Sequence, residues 1–138
     1  GVIPHIPVPA EQALDAAHAD ALRKLSEAEQ DERIKAYYEW ALQEVDGRLR
    51  PMKLTRKQME TYTGSFGPRR VFVEDGELWY RREDGPRYRL VPMGNDLFRV
   101  GDLDNFRLSF GHDARGRVTK AIGLYDDGHR DENAKDGG

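Results

Sequence analysis

The chain has no cysteine, four histidines and three serines, and each shortage excludes a kind of chemistry. Without cysteine there is no disulfide, no thiolate nucleophile and no cysteine-based zinc or iron–sulfur site. Nucleophilic catalysis needs a serine, threonine, cysteine or lysine held beside a base, so few candidate groups are present. Composition alone therefore gives little support to an enzyme.

The chain also lacks a strong net charge and any long apolar run. It carries 22 basic and 25 acidic residues, a net charge of −3, so there is no overall positive field to attract nucleic acid. No uninterrupted apolar stretch reaches the length that spans a bilayer. We therefore predict neither a nucleic-acid partner nor a membrane span. Because the sequence starts at Gly1 with neither methionine nor signal peptide, we expect a piece of a longer protein.

The first part of the chain is predicted to be an extended arm followed by helices. Three prolines among residues 1–9 prevent a helix there. Apolar residues then recur at helical spacing from Ala10, and Asp31 is placed to cap a second helix that ends before Pro51. Thr55 and Gln58 have the spacing of a capping box for a short third helix. Residues 1–54 are thus assigned as an arm plus a helical hairpin.

From Thr63 the apolar period changes from helical to alternating, which is typical of half-buried strands. Turn sequences such as Asp75-Gly76 and Asp127-Gly128 separate six or seven short predicted strands in meander order. Residues 55–128 are predicted to form this antiparallel module and to share one core with the helices. Residues 129–138 contain almost no apolar side chain and are predicted to be a disordered tail.

These patterns define an α+β fold class. We expect an N-terminal helical hairpin packed on a C-terminal antiparallel β-meander. The meander is predicted to be either a curved sheet or a partial lipocalin-like barrel.

Candidate catalytic and metal-binding groups are weakly supported. Ser65 lies between Gly64 and Gly67, but the spacing departs from the Gly-x-Ser-x-Gly nucleophile turn, so a strand start with a bulge is the preferred interpretation. His112 and His129 stand near aspartates that turn chemistry explains without a metal. We predict no catalytic residue, no metal and no cofactor.

Arginines interleave with aromatic residues through the predicted strands, as they would on a nucleic-acid stacking platform. However, acidic residues are as numerous as basic ones over residues 55–138. Charged side chains on the solvent face of a sheet normally pair across strands. A solvated sheet face is therefore the preferred interpretation.

Two stretches resemble known proteins. Residues 1–17, Gly-Val-Ile-Pro-His-Ile-Pro-Val-Pro followed by an Ala-Leu helix pattern, resemble the end of the catalytic domain in tail-specific (C-terminal-processing) serine peptidases of the interphotoreceptor retinoid-binding-protein-like group. In that family Asp is more usual at the position of His5. The second stretch resembles a β-rich module in six short segments: residues 62–67, Leu78-Trp-Tyr, Leu90-Val-Pro, Asp96-Leu-Phe, residues 106–110 and Gly116-Arg-Val. Such a module occurs at the C-terminus of these peptidases and of some β-lactamase-like serine hydrolases.

The resemblance implies a role without catalysis. The family's catalytic serine and its lysine or other base lie upstream of the matched segment, and no position here matches those motifs. The chain then corresponds to a non-catalytic C-terminal accessory domain that serves domain packing, oligomerisation or contact with a substrate protein. Its implied partners are the upstream peptidase domain of the same parent chain, a protein substrate or a second copy. The resemblance also implies that the parent is exported, to the periplasm or the extracellular space.

The alternative is a small lipocalin-like module that binds an apolar ligand inside the curved sheet. Six aromatic residues would either line that ligand site or form an ordinary core: Phe72, Trp79, Tyr80, Phe98, Phe106 and Phe110. An enzyme in its own right is the third possibility.

Overall fold

A computed structural model describes residues 10–137, and the chain divides into two compact units between Pro51 and Met52. This division lies close to the predicted boundary at residue 54. The arm predicted for residues 1–9 lies outside the described residues.

The first unit is the predicted helical hairpin. Helix α1 spans Ala10–Ala28 and α2 spans Glu32–Leu49. Asp31 is the N-cap of α2, and its carboxylate accepts hydrogen bonds from two backbone N–H groups at the start of that helix. The two helices bury Leu22 and Val45 against each other in a small apolar cluster.

The second unit begins with the short helix α3, Arg56–Thr61. The predicted capping box is present: the Gln58 backbone N–H donates to Thr55 Oγ1 at 3.1 Å, and the Thr55 N–H donates to Gln58 Oε1 at 2.8 Å. Helix α3 leads directly into the sheet through Tyr62.

Within residues 10–137, eight antiparallel strands follow in simple meander order, so the predicted meander is confirmed with at least one strand more than expected. Their bounds are β1 Gly64–Phe66, β2 Arg69–Glu74, β3 Glu77–Arg82, β4 Arg87–Gly94, β5 Leu97–Val100, β6 Phe106–His112, β7 Val118–Tyr125 and β8 Arg130–Ala134.

The sheet curves until its last strand approaches its first. The Asp136 backbone N–H donates to the Ser65 carbonyl at 2.7 Å, just beyond the end of β8, and the Gly67 N–H donates to the Asp136 carboxylate at 3.3 Å. Gly64, in β1, has a positive φ of 150°, which favours glycine at this point of closure. The α+β fold class is confirmed, and the meander is a nearly closed barrel.

Residues 129–138 were predicted to be a disordered tail, but Arg130–Ala134 forms strand β8 along β7; Gly138 lies outside the described residues. The inward-facing residues of β8 are Asp131 and Asn133, and both contact the buried Arg69 of β2. A polar strand is stable here because its partner inside the barrel is a charge rather than an apolar surface.

The interior of the barrel forms one apolar cluster. Its buried members are Phe66, Val71, Leu78, Tyr80, Leu90, Phe98, Val100, Phe106, Leu108, Phe110, Val118 and Ala121. The helical hairpin has its own smaller cluster. The expectation that the helices and the sheet share one core stays a prediction.

Candidate functional site

The six aromatic residues predicted as core or ligand site are divided between the two faces of the sheet. Four of them lie in the interior cluster: Tyr80, Phe98, Phe106 and Phe110. Phe72 and Trp79 form a cross-strand pair on the outer face. There Arg70 lies over the Phe72 ring at 5.4 Å and Arg87 lies over the Trp79 ring at 4.3 Å. These two rings therefore belong to an outer arginine–aromatic surface and not to the interior.

Several interior rings pack against one another close to Tyr62, the residue that ends α3. Phe98 and Phe110 meet edge to face with centroids 5.5 Å apart, and Tyr62 contacts Phe98 at 4.9 Å. Phe98 is only 1% exposed. In this part of the barrel, side chains fill the space between the strands.

A buried arginine side chain also lies in the barrel interior. Arg69, in β2, is 1% exposed, and its guanidinium pairs with Asp131 Oδ1 at 2.5 Å and donates to Asn133 Oδ1 at 2.8 Å. Its Nε donates to the Tyr80 hydroxyl at 3.2 Å, and its Cζ lies 5.6 Å from the centre of the Phe106 ring. The guanidinium thereby joins strands β2, β3, β6 and β8.

The electrostatics of this network favour the charged pair. Burial alone would lower the pKa of Arg69, but hydrogen bonds with Asp131 and Tyr80 raise it above its ordinary value. Burial would raise the pKa of the Asp131 carboxyl, whereas its hydrogen bond with Arg69 lowers it. Burial raises the pKa of Tyr80, so this phenol stays protonated. The network is thus an ion pair with a neutral hydroxyl beside it.

Gly123 of β7 makes room for the ion pair. A Cβ at this position would lie 2.5 Å from Arg69 Nη2 and 2.6 Å from Asp131 Oδ1. Both contacts are shorter than van der Waals distances allow, so the guanidinium passes across the strand only because residue 123 has no side chain.

A pocket of about 350 Å³ opens next to this network, at the end of the barrel where β3 connects to β4, β5 to β6 and β7 to β8. We call it the mouth pocket. It is lined by Tyr80, Arg82, Gly85, Pro86, Tyr88, Leu103, Phe106 and Tyr125. Two of these rings, Tyr80 and Phe106, were among the six predicted residues. Tyr88 and Tyr125 were missed, although each follows the inward alternation of its strand.

A second polar cluster lies at the opposite end of the barrel. The Tyr62 hydroxyl donates to Asp96 Oδ1 at 2.6 Å, and His112 Nε2 lies 2.8 Å from Asp96 Oδ2. His112 Nδ1 is 3.0 Å from the Gly116 carbonyl oxygen. Because both imidazole nitrogens face acceptors, the arrangement favours the doubly protonated, positively charged ring.

The pKa values in this cluster shift accordingly. The hydrogen bond with Asp96 raises the pKa of His112. Burial would raise the pKa of Asp96, but hydrogen bonds from Tyr62 and His112 lower it. Burial raises the pKa of Tyr62, so its hydroxyl remains a donor. The cluster ties α3 and two turns together.

We expect the His112–Asp96 pair to make stability depend on pH. His112 has a raised pKa in the folded state, so its contribution is complete below its unfolded pKa of about 6.5 and is lost as the pH rises through the folded value. The loss should be at most about 1 kcal/mol, as for other partly exposed ion pairs. Urea unfolding at pH 6 and pH 9 measures it. His112→Gln should remove this part of the pH dependence and His129→Gln should not; an unchanged profile in His112→Gln would contradict the assignment.

The serine and histidine candidates are dispersed. Ser65 is exposed in β1, and His129 lies against the Tyr125 ring at 5.1 Å between β7 and β8. Within residues 10–137 no group of three or more histidine, aspartate or glutamate side chains is placed to hold a metal ion. None of the helices in this range is both long and apolar enough to cross a membrane.

Comparison with known proteins gave no match to a family model, to a curated protein or to a solved structure.

Proposed function

We propose that the chain is a non-catalytic C-terminal accessory region of a serine peptidase of the tail-specific family, docked on the peptidase domain of the same parent chain. One observation carries the proposal. The residues behind the resemblance to the family's β-rich module fall largely in the core of one barrel: Phe66, Leu78, Tyr80, Leu90, Phe98, Phe106, Leu108, Phe110 and Val118 are all buried. If this chain and the family's module have the same fold, the residues that they share should be mainly core residues, as these nine are.

The helical hairpin supplies a surface for such docking. Leu14 is 70% exposed and Leu25 is 47% exposed on α1, and Tyr37 is 64% exposed on α2. Leu14 and Leu25 are eleven residues apart, which is three helical turns, so they lie on the same side of α1. Exposed apolar side chains grouped on one side of a helix favour a protein contact. The proposed occupant is the peptidase domain, because the segment that resembles the end of that domain, residues 1–17, continues into α1.

The titratable groups of the two polar clusters already have structural partners. Asp96 binds Tyr62 and His112, and Asp131 binds Arg69. These interactions join separate strands and turns, and each would be broken if the same group took part in a proton transfer. Their arrangement supports a structural role over a catalytic one.

The lipocalin-like alternative would place an apolar ligand among the interior aromatic rings. Phe98, Phe110 and Tyr62 contact one another at centroid distances of 4.9–5.5 Å. A ligand at this depth would have to separate these rings. The accessory role is therefore preferred.

The test begins with the reading frame upstream of the codon for Gly1. We expect it to encode a serine peptidase domain whose nucleophile precedes this chain. In the complete protein, Leu14→Gln combined with Leu25→Gln should lower the melting temperature of the peptidase domain, because the docking contact is lost. Glu27→Gln, an exposed change elsewhere on α1, is the matched control. An upstream region without a hydrolase would overturn the proposal, and so would a double variant that behaves like the control.

The 138-residue chain alone should hydrolyse neither peptides nor esters. Turnover that disappears in a Ser65→Ala variant would instead support an enzyme in its own right.

A further inference from the structure

We propose that the mouth pocket binds a small aromatic carboxylic acid, with the ring held against the tyrosine and phenylalanine side chains and the carboxylate at Arg82. This site is independent of the proposed accessory role.

The lining of the pocket suits a flat ring. Phe106 packs against both Tyr80 and Tyr125, with centroids 6.1 and 5.1 Å apart. These rings form one aromatic wall, and a ligand ring would stack on this wall and not between its members. Pro86 and Leu103 complete the apolar wall. A volume of about 350 Å³ falls at the lower end of the range for small-molecule sites, and barrel mouths are common places for them. The pocket therefore fits a ligand of one or two rings.

Arg82 sets the sign of charge that the pocket accepts. Of the eight residues that line it, all within the described chain, Arg82 alone is charged. The nearby Asp131 carboxylate is held by Arg69, and its second oxygen accepts a hydrogen bond from the Tyr125 hydroxyl at 3.3 Å. Arg82 is exposed and its side chain lines the pocket, so its guanidinium is accessible to a ligand bound there. A ligand carboxylate there would gain a charge-assisted hydrogen bond.

The aromatic walls are already fixed in position. The Tyr80 hydroxyl accepts a hydrogen bond from Arg69, and the Tyr125 hydroxyl is held by Asp131. Tyr88 lies so close to Gly101 that a Cβ there would be 2.9 Å from Tyr88 Cδ1. Because these rings need little further ordering, binding would lose little conformational entropy.

The experiment is calorimetric titration of the full 138-residue chain with 2-naphthoate. Its neutral isostere 2-naphthamide and the cation 2-naphthylmethylammonium serve as comparison ligands. We expect saturable one-to-one binding of naphthoate, weaker binding of the amide and weakest binding of the cation. Equal affinities for the three ligands, or no binding of naphthoate at millimolar concentration, would overturn the proposal.

Variants locate the site. Arg82→Gln should weaken naphthoate binding about tenfold, as expected for the loss of one charge-assisted hydrogen bond, and should leave naphthamide binding unchanged. Arg115→Gln makes the same charge change in the turn between β6 and β7, at the other end of the barrel, and should have no effect. Leu103→Trp should block the pocket and abolish binding. If Leu103→Trp fails to fold, Arg82→Gln decides alone, because Arg82 is exposed; unchanged naphthoate affinity in that variant would refute the site.

Discussion

Deletion of residues 129–138 is expected to unfold the barrel or to leave it only marginally stable. The deletion removes β8, which pairs with β7 from Lys120 to Leu124. It also removes Asp131 and Asn133, and so leaves the buried Arg69 without two of its acceptors. An uncompensated buried charge costs about 3–5 kcal/mol, a large part of the stability of a typical domain.

Urea unfolding followed by Trp79 fluorescence, in a Trp40→Phe background, reports on the barrel alone. A chain that lacks only Gly137 and Gly138 is the control, because a Cβ added at Gly137 would have no neighbouring atom within 4 Å. The control should keep the midpoint of the parent chain. If the longer deletion also keeps that midpoint, residues 129–138 behave as the dispensable tail that their composition predicts.

The elements that the sequence predicted correctly are those with local signals. Asp31 stands directly before the helix that it caps, and Thr55 lies three residues from Gln58 in its capping box. The strands were predicted from the alternation of apolar residues, which depends on immediate neighbours along the chain. Such features need no knowledge of the tertiary structure.

Strand β8 was missed because its stability depends on a distant residue. Asn133 and Arg69 are 64 positions apart, and neither is apolar. An arginine in an alternating strand is normally assigned to the solvent face, since charged residues are seldom fully buried without a partner. Here the partner lies in a segment whose polar composition predicted disorder. The assignment of the strand arginines to the solvent face and the prediction of a disordered tail therefore fail for one reason. Arg69 and Asp131 form an ion pair between two segments that were each interpreted alone.

Only Tyr80 and Phe106 of the six aromatic residues named from the sequence line the mouth pocket, for a related reason. Phe72 and Trp79 were grouped with the interior rings because they are aromatic, although they occupy the outward positions of their strands. Tyr88 and Tyr125 share inward positions with Leu90 and Ala121, so alternation within each strand would have selected them. The convergence of these rings around one opening, however, depends on the curvature of the sheet, which the pattern of a single strand does not contain.

Asp131→Asn is expected to destabilise the barrel by about 3 kcal/mol, because it leaves the Arg69 charge buried without its counter-ion. Loss of the carboxylate matters more than loss of a hydrogen bond, since Asn133 Oδ1 still accepts from the guanidinium at 2.8 Å. Glu132→Gln, which changes an exposed carboxylate one residue away, should leave the urea midpoint nearly unchanged. Urea midpoints in the Trp40→Phe background measure both effects.

A second substitution separates the buried charge from the packing around it. Adding Arg69→Met to Asp131→Asn removes the unpaired charge and keeps an apolar side chain against Phe106. We expect the double variant to be more stable than Asp131→Asn alone, because replacing a buried ion pair by apolar groups is often nearly neutral, whereas breaking it is costly. If the two substitutions instead destabilise additively, Arg69 contributes through its packing and its hydrogen bond to Tyr80. The ion pair would then not be the interaction that holds β8 to β2.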